Sequence, residues 1–597
     1  MPSLSKRKLE RIAVDAINYE ANRPSAQLVA NIPVGDKGIS FDGDIEVYKD
    51  HSESVSSLIG KVPVQVKGTQ VTEFTNGTRT FSMGLGHFKN YYDSQGVVLL
   101  VVEIKKNGDT KIFYKQLLPN ELREILKVYG ERKGQKQRVV ELRPLSETTL
   151  DTVCRKFIRE SKKQPSILIE RNPFKNDEFD SFELTSLTFN PNKNETSNIF
   201  EHDFTVYGIK EILSIPLNQG RIQSVTTDIN DTVYSNGNEY NFSIKVTKEE
   251  NRTIILIEDS LELVISEKQT KFNFKLIKLN SLASQLKILP FVLDFLISSS
   301  MKFKQISLKL ENINLNNKED TIKTFQELLS TFQKLKIIFE GLNVSDDITI
   351  DNRPGDLDLI IDQITSFVRM YLDKDYSKLK IKNPEQACFT LFRIGSLHLV
   401  FFYNPKSDKR LINAFSEELL KNDTRLSVGG DTFPHSPYTM LTDLALAHGV
   451  NVNLDIINRS FNSFDPFFND ITANFTNNFC LMCINAFDLS DNTNLLHLVN
   501  HIYDFYKGHN LDESIYFINK SQINYRLQGF INEKYIEKLI KLKQSDSTNT
   551  ELQYCTSVLL ESRHEAQLYY KQLGTEKQKF YNKLPINYLY RKLIEER

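Results

Sequence analysis

The sequence predicts a multidomain α+β protein with an N-terminal α/β domain, a β-rich middle domain and a mostly α-helical C-terminal region. The 597 residues of the chain exceed what one hydrophobic core usually supports. Apolar residues first follow mixed helix and strand spacings, then alternate, and finally recur at three- and four-residue steps. Hydrophobic and charged residues make up 40% and 25% of the chain, as in ordinary globular proteins. The predicted domains span residues 1–150, 166–280, 281–490 and 491–597.

The first predicted domain begins with an amphipathic helix over Ser5–Asn22, which Arg23-Pro24 ends because the residue before proline resists helical geometry. Short extended runs follow at residues 28–34, 44–48, 62–67 and 97–104. The last run is apolar on both faces, which is typical of a central strand. A strand over Lys111–Leu117 pairs with it across an Asn-Gly-Asp turn. Helical segments are predicted at residues 86–92 and 119–127.

The remaining elements are predicted from changes in the spacing of apolar residues along the chain. Alternating runs at residues 182–189, 254–257, 261–265 and 272–277 predict the strands of the middle domain. Helices are predicted near residues 282–298, 320–342, 357–372 and 411–420, with a strand-like interruption at 390–403. Short successive helices from residue 494 to 593 resemble stacked helical hairpins.

Cysteine usage and hydropathy indicate a cytoplasmic protein without membrane attachment. The five cysteines are too few and too scattered for a disulfide framework. Cys480 and Cys483 have C-x-x-C spacing, but no second pair or histidine lies at a zinc-site distance. The N-terminus has no apolar signal region. The most apolar helical stretch, Leu286–Ile297, contains two charges and is too short to span a bilayer.

Two neighbouring predicted strands carry the polar residues that point to chemistry. Side chains alternate between the faces of a strand, so Gln65 and Lys67 share one face while the valines around them face the core. Asp42 and Asp44 share a face of the preceding strand in the same way. The strands therefore bring carboxylates, an amide oxygen and an ammonium group into one patch. A Gln-Val-Lys triplet is also a common edge of a half-buried strand, and this alternative stays open.

Hydrolysis of a phosphodiester by Mg²⁺ or Mn²⁺ needs such groups. Mg²⁺ prefers oxygen ligands and keeps several waters, and it polarises phosphoryl oxygen and acidifies a water. The predicted metal ligands are Asp42, Asp44, Gln65 and Glu10. Glu10 lies on the apolar face of the first helix, either directed toward the metal or at a helix end in water. Lys67 would serve the attacking water and offset charge on the phosphate.

Nucleic-acid contact must come from a local patch, because the formal net charge of the chain is only -1. One basic stretch contains Lys127, Arg132, Lys133, Lys136, Arg138 and Arg143, and another contains Arg155, Lys156, Arg159, Lys162 and Lys163. We single out Lys133, Lys136 and Arg138 as predicted DNA-binding residues. For either stretch the alternative is the solvated surface of helices and turns.

The order of these elements and motifs resembles the PD-(D/E)XK nuclease superfamily, nearest to its Mrr-like and Holliday-resolvase-like branch. The resemblance lies in Phe-Asp-Gly-Asp-Ile at 41–45, Val-Pro-Val-Gln-Val-Lys-Gly at 62–68 and Tyr-Lys-Gln-Leu-Leu-Pro at 114–119. These segments look like a family of domains of unknown function that forms the N-terminal nuclease of several bacterial phage-defence effectors. The resemblance covers about the first 130 residues.

The resemblance implies a restriction-endonuclease-like fold for residues 1–150, with Asp42, Asp44, Gln65 and Lys67 as catalytic residues. The superfamily often has Glu where this chain has Gln65, which keeps an oxygen ligand but removes one negative charge. Weaker metal binding is the expected consequence. The family pattern favours Asp42 as the metal ligand, whereas strand geometry serves Asp42 or Asp44.

We therefore expect a Mg²⁺-dependent endonuclease that acts on DNA rather than RNA, as an effector of bacterial anti-phage defence. Its expected partners are DNA, a phage-derived trigger or a partner defence protein, and further copies of the chain in a homo-oligomer. Two alternatives stay open: a catalytically inactive nuclease fold that binds nucleic acid or assists assembly, and the nuclease partner of a short prokaryotic Argonaute. No Walker P-loop or dinucleotide-binding motif appears.

Overall fold

The structure is a computed structural model that describes residues 4–35, 38–130, 136–172, 174–190, 199–266, 272–306, 309–310, 318–351, 357–421 and 424–595. The chain divides into two compact units. The first comprises Met1–Val225 with Lys248–Arg252, and the second comprises Thr226–Thr247 with Thr253–Arg597. The protein is therefore multidomain, with mixed helix and strand content and a helical C-terminal region.

The elements of the first unit begin with one α-helix followed by four strands. Its helices are α1 (Lys6–Ala21), α2 (Leu85–Asp93), α3 (Pro119–Gly130), α4 (Leu150–Lys162) and α5 (Ser166–Glu170). Its strands are β1 (Leu28–Asn31), β2 (Gly43–Tyr48), β3 (Leu58–Gln70), β4 (Arg79–Gly84), β5 (Val97–Ile104), β6 (Thr110–Leu117), β7 (Gln137–Pro144), β8 (Ser181–Thr185), β9 (Asp203–Lys210) and β10 (Leu213–Arg221). Strands β8–β10 form a separate antiparallel sheet.

The large sheet of the first unit has the strand order β1-β2-β3-β5-β6-β7-β4. Strands β3 and β5 are parallel, and Gln65 lies opposite Leu99 in their register. The even-numbered residues of β3 and β5 pack in one core with α1 and α4. The odd-numbered residues of β5 pack in another core with α2 and α3. Both faces of β5 are therefore covered, which explains why every residue of this strand is buried.

Helix α1 lies close against β3 because glycine occupies the point of contact. Ser5 caps the helix by accepting a hydrogen bond from the backbone N–H of Lys8. A Cβ atom at Gly68 would lie 2.5 Å from the carbonyl oxygen of Leu9. Only glycine lets the helix approach this closely. This contact places α1 against the C-terminal half of β3. Glu10 is the next residue of the helix.

The structure confirms most predicted elements of the first unit and adds others. The predicted first helix, the strand at residues 97–104 and the short helix at 86–92 correspond to α1, β5 and α2. The prediction did not identify β4, β7 or α4. Strand β1 ends at Asn31, before the predicted end at Val34, because Pro33 lacks an N–H group for the ladder and Gly35 adopts a φ of 108°.

The second unit begins with strands and ends with helices. Its helices are α6 (Leu282–Ser298), α7 (Lys318–Gly341), α8 (Leu357–Leu372), α9 (Glu417–Lys421), α10 (Asp443–His448), α11 (Leu454–Phe461), α12 (Asp470–Ser490), α13 (Thr493–Tyr503), α14 (Glu513–Gln528), α15 (Glu533–Ser545), α16 (Thr550–Leu559), α17 (Arg563–Gln572), α18 (Thr575–Tyr581) and α19 (Ile586–Glu595). Its strands are β11 (Ser224–Ser235), β12 (Asn238–Glu249), β13 (Arg252–Ile257), β14 (Leu261–Ser266), β15 (Phe272–Leu276), β16 (Asn280–Ser281), β17 (Met301–Phe303), β18 (Lys309–Leu310), β19 (Thr349–Asp351), β20 (Cys388–Ile394), β21 (Leu397–Tyr403), β22 (Leu411–Asn413), β23 (Arg425–Val428) and β24 (Asp431–Pro434).

One element predicted in this region is wrong. The predicted helix at residues 411–420 is strand β22 followed by the short helix α9. Leu411 and Ile412 pair with Tyr403 and Phe402 of β21. The spacing of apolar residues in so short a run fits either structure, and the neighbouring strand decides between them. The predicted helices at 282–298 and 357–372 are confirmed as α6 and α8.

A helix that spans a membrane must be both long and predominantly apolar. Throughout the described ranges, no helix is both long enough and apolar enough to cross a bilayer. The apolar helix α6 contains Pro290 and packs through residues such as Phe291 and Phe295 against the seven-stranded sheet with the strand order β15-β14-β13-β12-β11-β17-β18. Its apolar character therefore reflects a protein core.

Candidate active site

The pairing of β2 with β3 places Asp42 opposite Gln65. The ladder has Gly43 opposite Val64, and the backbone N–H of Asp42 donates to the carbonyl oxygen of Val64 at 2.9 Å. Gly43 has a φ of 152°, and a Cβ atom there would lie 2.2 Å from the carbonyl oxygen of Asn31. The glycine between the two aspartates therefore lets β2 lie against β1 just where the carboxylates begin.

Asp42 and Gln65 are in direct contact inside the first unit. The amide nitrogen of Gln65 donates a hydrogen bond to Oδ2 of Asp42, and the backbone N–H of Val66 donates to the same oxygen at 2.8 Å. Asp42 is only 4% exposed and Gln65 only 3%. A buried carboxylate is costly unless it is hydrogen-bonded or neutralised, and these two donors meet part of that requirement.

Tyr91 of α2 completes the environment of Gln65. Its hydroxyl lies 3.4 Å from Oε1 of Gln65, to which it donates, and 3.4 Å from the sulfur of Met83. Burial raises the pKa of Tyr91 above its ordinary value, and the charge of Asp42 adds to this effect. The tyrosine therefore stays protonated and serves as a hydrogen-bond donor to the candidate site.

Asp42 and Asp44 differ in their burial and in the residues they contact. Asp44 lies opposite Pro63, is partly exposed, and accepts a hydrogen bond from the side chain of Asn31 in β1 at 3.4 Å. Asp42 faces Gln65, whereas Asp44 lies toward the outer edge of the sheet. The geometry therefore associates Asp42, more than Asp44, with the Gln-x-Lys strand.

Lys67 lies two residues beyond Gln65 on β3 and is exposed. Strand alternation puts both side chains on the face that carries α2, opposite the face where Val64 and Val66 meet α1. Within the described part of the chain, the ammonium group of Lys67 forms no ion pair. It is thus an exposed positive charge next to a buried amide and a buried carboxylate.

Glu10 belongs to α1, which packs on the face of the sheet that carries Val64 and Val66. Its Oε1 accepts a hydrogen bond at 3.4 Å from the backbone N–H of Gly35. Gly35 belongs to the segment that leads from β1 to Asp42. Glu10 therefore reaches the end of the sheet where the candidate site lies, by way of that segment.

The three predicted DNA-binding residues differ in whether the structure describes them and in how exposed they are. Lys133 lies outside the described residues. Lys136 is exposed at the start of β7, and its carbonyl oxygen accepts a hydrogen bond from Leu85 N at the beginning of α2. Arg138 is half-buried opposite Met83, on the side of β7 that faces the core. Lys136 is therefore the more accessible of the two basic residues near α2.

The second basic stretch has a structural role. It lies on α4, which covers the face of the sheet opposite Gln65. Arg155 donates to Asp151 at 2.7 Å and to the carbonyl oxygen of Tyr48 at 2.7 Å, and Lys156 donates to the carbonyl oxygen of Leu187. These basic groups tie α4 to neighbouring segments, which agrees with the alternative of an ordinary helix surface.

Lys115, in the third segment that carries the resemblance, also has a structural role. Its ammonium group lies 3.0 Å from carboxylate oxygens of both Glu121 and Asp203. Burial by itself would lower the pKa of Lys115, but the two carboxylates outweigh it and hold the pKa well above the usual range. A lysine held in this way links β6 to α3 and β9.

Several side chains beside the site were not predicted from the sequence, among them Tyr91, Ser40, His87 and Asn90. Ser40, two residues before Asp42, is buried and contacts Nδ1 of His87 at 2.9 Å. The amide nitrogen of Asn90 donates to the hydroxyl oxygen of Ser40 at 2.7 Å. His87 and Asn90 lie on α2, whose position over the sheet no local pattern reveals. The one available signal was a histidine within the predicted short helix.

The donor set fits a hard divalent cation, with one condition. Carboxylate and amide oxygens are suitable ligands for Mg²⁺. Asp42, just before β2, and Gln65, in the middle of β3, supply them in direct contact, whereas Asp44 pairs with Asn31 of β1. Gln65, however, turns its amide nitrogen toward Asp42, so its oxygen would coordinate only after the amide rotates. Among the described residues, no group of three or more His, Cys, Asp or Glu side chains is arranged to hold a metal.

We compared the chain with known proteins. Models of protein families, curated proteins and solved structures gave no match. The chain is therefore not assigned to a family. Fold alone would not determine a function in any case, so the chemistry of Asp42, Gln65 and Lys67 has to support it.

Proposed function

We propose that residues 1–150 form a metal-dependent endonuclease that hydrolyses DNA phosphodiester bonds. The observation that carries this proposal is the buried contact between Asp42 and Gln65, two residues before the exposed ammonium group of Lys67. The order of α1, β1, β2, β3, α2 and β5, with β3 parallel to β5 and the edge strand β4 inserted before α2, supports it further. It is the order on which the resemblance to PD-(D/E)XK nucleases rests.

Each residue has a role that follows from its position. Asp42 and the rotated amide oxygen of Gln65 would hold Mg²⁺ or Mn²⁺, with Asp44 near its outer side. When bound, such an ion polarises a phosphoryl oxygen and lowers the pKa of a coordinated water. Lys67 attracts the scissile phosphate and offsets the negative charge that builds on it. Glu10 accepts a hydrogen bond from Gly35, in the segment that leads to Asp42, and would hold that segment in place.

The wider role proposed is that of an effector in bacterial anti-phage defence. The segments at 41–45 and 62–68 support it through their likeness to nucleases of such systems. A nuclease of relaxed sequence preference would degrade the host chromosome, so it needs control. We assign that control to residues outside the nuclease region, which would respond to a phage-derived trigger or a partner protein.

The test is cleavage by the purified full chain with Mg²⁺ or Mn²⁺, using plasmid, linear duplex, single-stranded DNA and RNA. Asp42→Ala and Lys67→Ala should each abolish cleavage. Lys61→Ala is the matched control, because Lys61 is an exposed lysine on the same strand that pairs with Glu46. Cleavage that survives both site substitutions would show that another site, or a contaminant, is responsible.

A second candidate function is a catalytically silent nucleic-acid-binding module. The observation that favours it is the orientation of Gln65, whose amide nitrogen occupies the side of Asp42 that a metal would approach. This function requires DNA or RNA binding that is equally tight with EDTA and with Mg²⁺, and no cleavage of any substrate. Metal-dependent cleavage that Lys67→Ala abolishes would exclude it.

A further inference from the structure

A histidine of α2 lies beside the candidate site and is held by two polar side chains. His87 is exposed, whereas its partner Ser40 is buried. The ring of His87 stacks near that of Tyr91 at a centroid distance of 6.2 Å, and the Tyr91 hydroxyl reaches Gln65. A chain of contacts therefore runs from Gln65 through Tyr91 and His87 to Ser40, two residues from Asp42.

The hydrogen bonds around Ser40 are compatible with a His87 ring whose outer nitrogen is a donor. Asn90 donates to the oxygen of Ser40, so the Ser40 hydroxyl can donate its own hydrogen to Nδ1 of His87. A neutral ring that accepts at Nδ1 carries its hydrogen on Nε2. A protonated ring carries a hydrogen there as well. In both states Nε2 is a donor on the side of the ring away from Ser40.

The surroundings of that donor suit an anion. The Cδ2 atom, next to Nε2, lies 3.7 Å from where a Cβ of Gly84 would be. Gly84 is the residue at which the chain turns into α2, beside the carbonyl oxygen of Lys136. The exposed Lys67 carries positive charge on the face of β3 toward α2, and the exposed Lys136 is hydrogen-bonded through its carbonyl oxygen to Leu85 at the start of α2. A phosphate group near Nε2 of His87 would meet this donor on the face of the sheet that carries α2 and the exposed Lys67.

We propose that His87 is a substrate-positioning residue, which donates from Nε2 to a non-bridging oxygen of a DNA phosphate next to the scissile one. Ser40 and Asn90 orient its ring for this contact. The proposal rests on the function proposed above, and it adds a substrate-binding residue that the motifs do not contain. No proton is transferred in this role, so the effect falls on binding and on KM.

Two substitutions distinguish the role of Nε2, the His87 nitrogen away from Ser40, from that of Nδ1, which contacts Ser40. Asn places its amide oxygen near the position of Nδ1, where it can accept a hydrogen bond from Ser40, so His87→Asn keeps a partner for Ser40 and removes the outer donor. Gln reaches the position of Nε2, so His87→Gln keeps the outer donor. Because the ring is exposed, we expect neither substitution to change the melting temperature. His51→Asn is the matched control, since His51 is exposed at the opposite end of β2.

The experiment measures anisotropy of a labelled DNA duplex with Ca²⁺ in place of Mg²⁺, and then steady-state cleavage with Mg²⁺. His87→Asn should raise Kd and KM about tenfold, as expected for loss of one hydrogen bond to a charged group, with kcat within about twofold. His87→Gln should recover most of the binding, and His51→Asn should match the wild type.

The outcomes separate this inference from the function on which it rests. A wild-type protein that neither binds nor cleaves DNA would overturn both. A wild-type protein that cleaves DNA, with a His87→Asn variant of unchanged Kd and KM, would overturn the role of His87 alone. Equal losses in His87→Asn and His87→Gln would also contradict it, because the outer nitrogen would then not be the cause.

Discussion

The amide nitrogen of Gln65 donates a hydrogen bond to the buried carboxylate of Asp42. The amide oxygen consequently turns toward the hydroxyl of Tyr91. In this orientation Gln65 stabilises the charge of Asp42 and supplies no ligand beside it. A cation at Asp42 would favour the reversed amide, in which the oxygen faces the metal and the nitrogen faces Tyr91. In the proposed function, metal binding would therefore require a change in the orientation of the Gln65 side chain.

The two aspartates should differ in their importance for cleavage. Asp42→Asn should lower kcat/KM by about 100-fold or more, because it neutralises the buried carboxylate that faces Gln65. Asp44→Asn should lower it by about tenfold or less, because Asp44 lies toward Asn31 at the edge of the sheet. The measurement is plasmid cleavage under Mg²⁺ across a range of DNA concentrations. A larger loss in Asp44→Asn would reverse the assignment.

Gln65→Glu should make the folded protein depend on metal for stability. Two carboxylates would then face each other in a buried site, and like charges at this distance destabilise the fold. We expect a lower melting temperature than that of the wild type in EDTA, and recovery with Mg²⁺ or Mn²⁺. Calorimetry of the full chain, with and without metal, measures both effects.

The control for this experiment exchanges the carboxylate and the amide between positions 42 and 65. Asp42→Asn combined with Gln65→Glu keeps one carboxylate and one amide in contact, so its melting temperature in EDTA should lie near that of the wild type. If Gln65→Glu melts at the wild-type temperature in EDTA and does not respond to metal, Asp42 and Gln65 do not form a metal site.

Gly43 and Gly86 should respond oppositely to alanine. Gly43→Ala places a Cβ atom against the carbonyl of Asn31 and should lower the free energy of unfolding by about 2–4 kcal/mol. Gly86→Ala meets no atom within 4 Å and lies in α2, so it should stabilise by roughly 0.5–1 kcal/mol. Thermal unfolding of both variants is the measurement. Equal effects would contradict the close approach of β1 and β2 at Gly43.

His435 should make the second unit sensitive to acid. It is 6% exposed and lies between the rings of Phe464 and Phe475 at 5.9 and 5.7 Å. Burial lowers the pKa of His435 from 6.5 to about 4. Between these two values the unfolded chain binds a proton that the folded chain does not bind, so stability falls as the pH falls through this window.

His435→Phe should remove this loss. The free energy of unfolding of the variant should exceed that of the wild type by an amount that grows from pH 7 toward pH 4, reaching up to about 3 kcal/mol. Urea unfolding of the full chain at several pH values measures the difference. His509→Phe is the control, because His509 is exposed. A constant difference between wild type and His435→Phe at all pH values would contradict burial of a neutral ring.

The sequence alone determined the features that depend on near neighbours along the chain. The period of apolar residues predicted α1, β5, α6 and α8, because helix and strand geometry sets which side chains share a face. Strand alternation likewise put Gln65 and Lys67 on one face. A run as short as residues 411–420 was mispredicted, since its apolar spacing fits a strand as well as a helix.

Only the tertiary structure decided which distant residues meet. Asp42 rather than Asp44 faces Gln65, because the close approach at Gly43 and the register of β2 with β3 set the alignment. Ser40 meets His87 across 47 positions of sequence, because α2 packs on the sheet through Phe88 and Tyr91. Such contacts depend on how whole elements pack, and no spacing within a single element encodes them. The residues that surround the candidate site were therefore visible only in the folded chain.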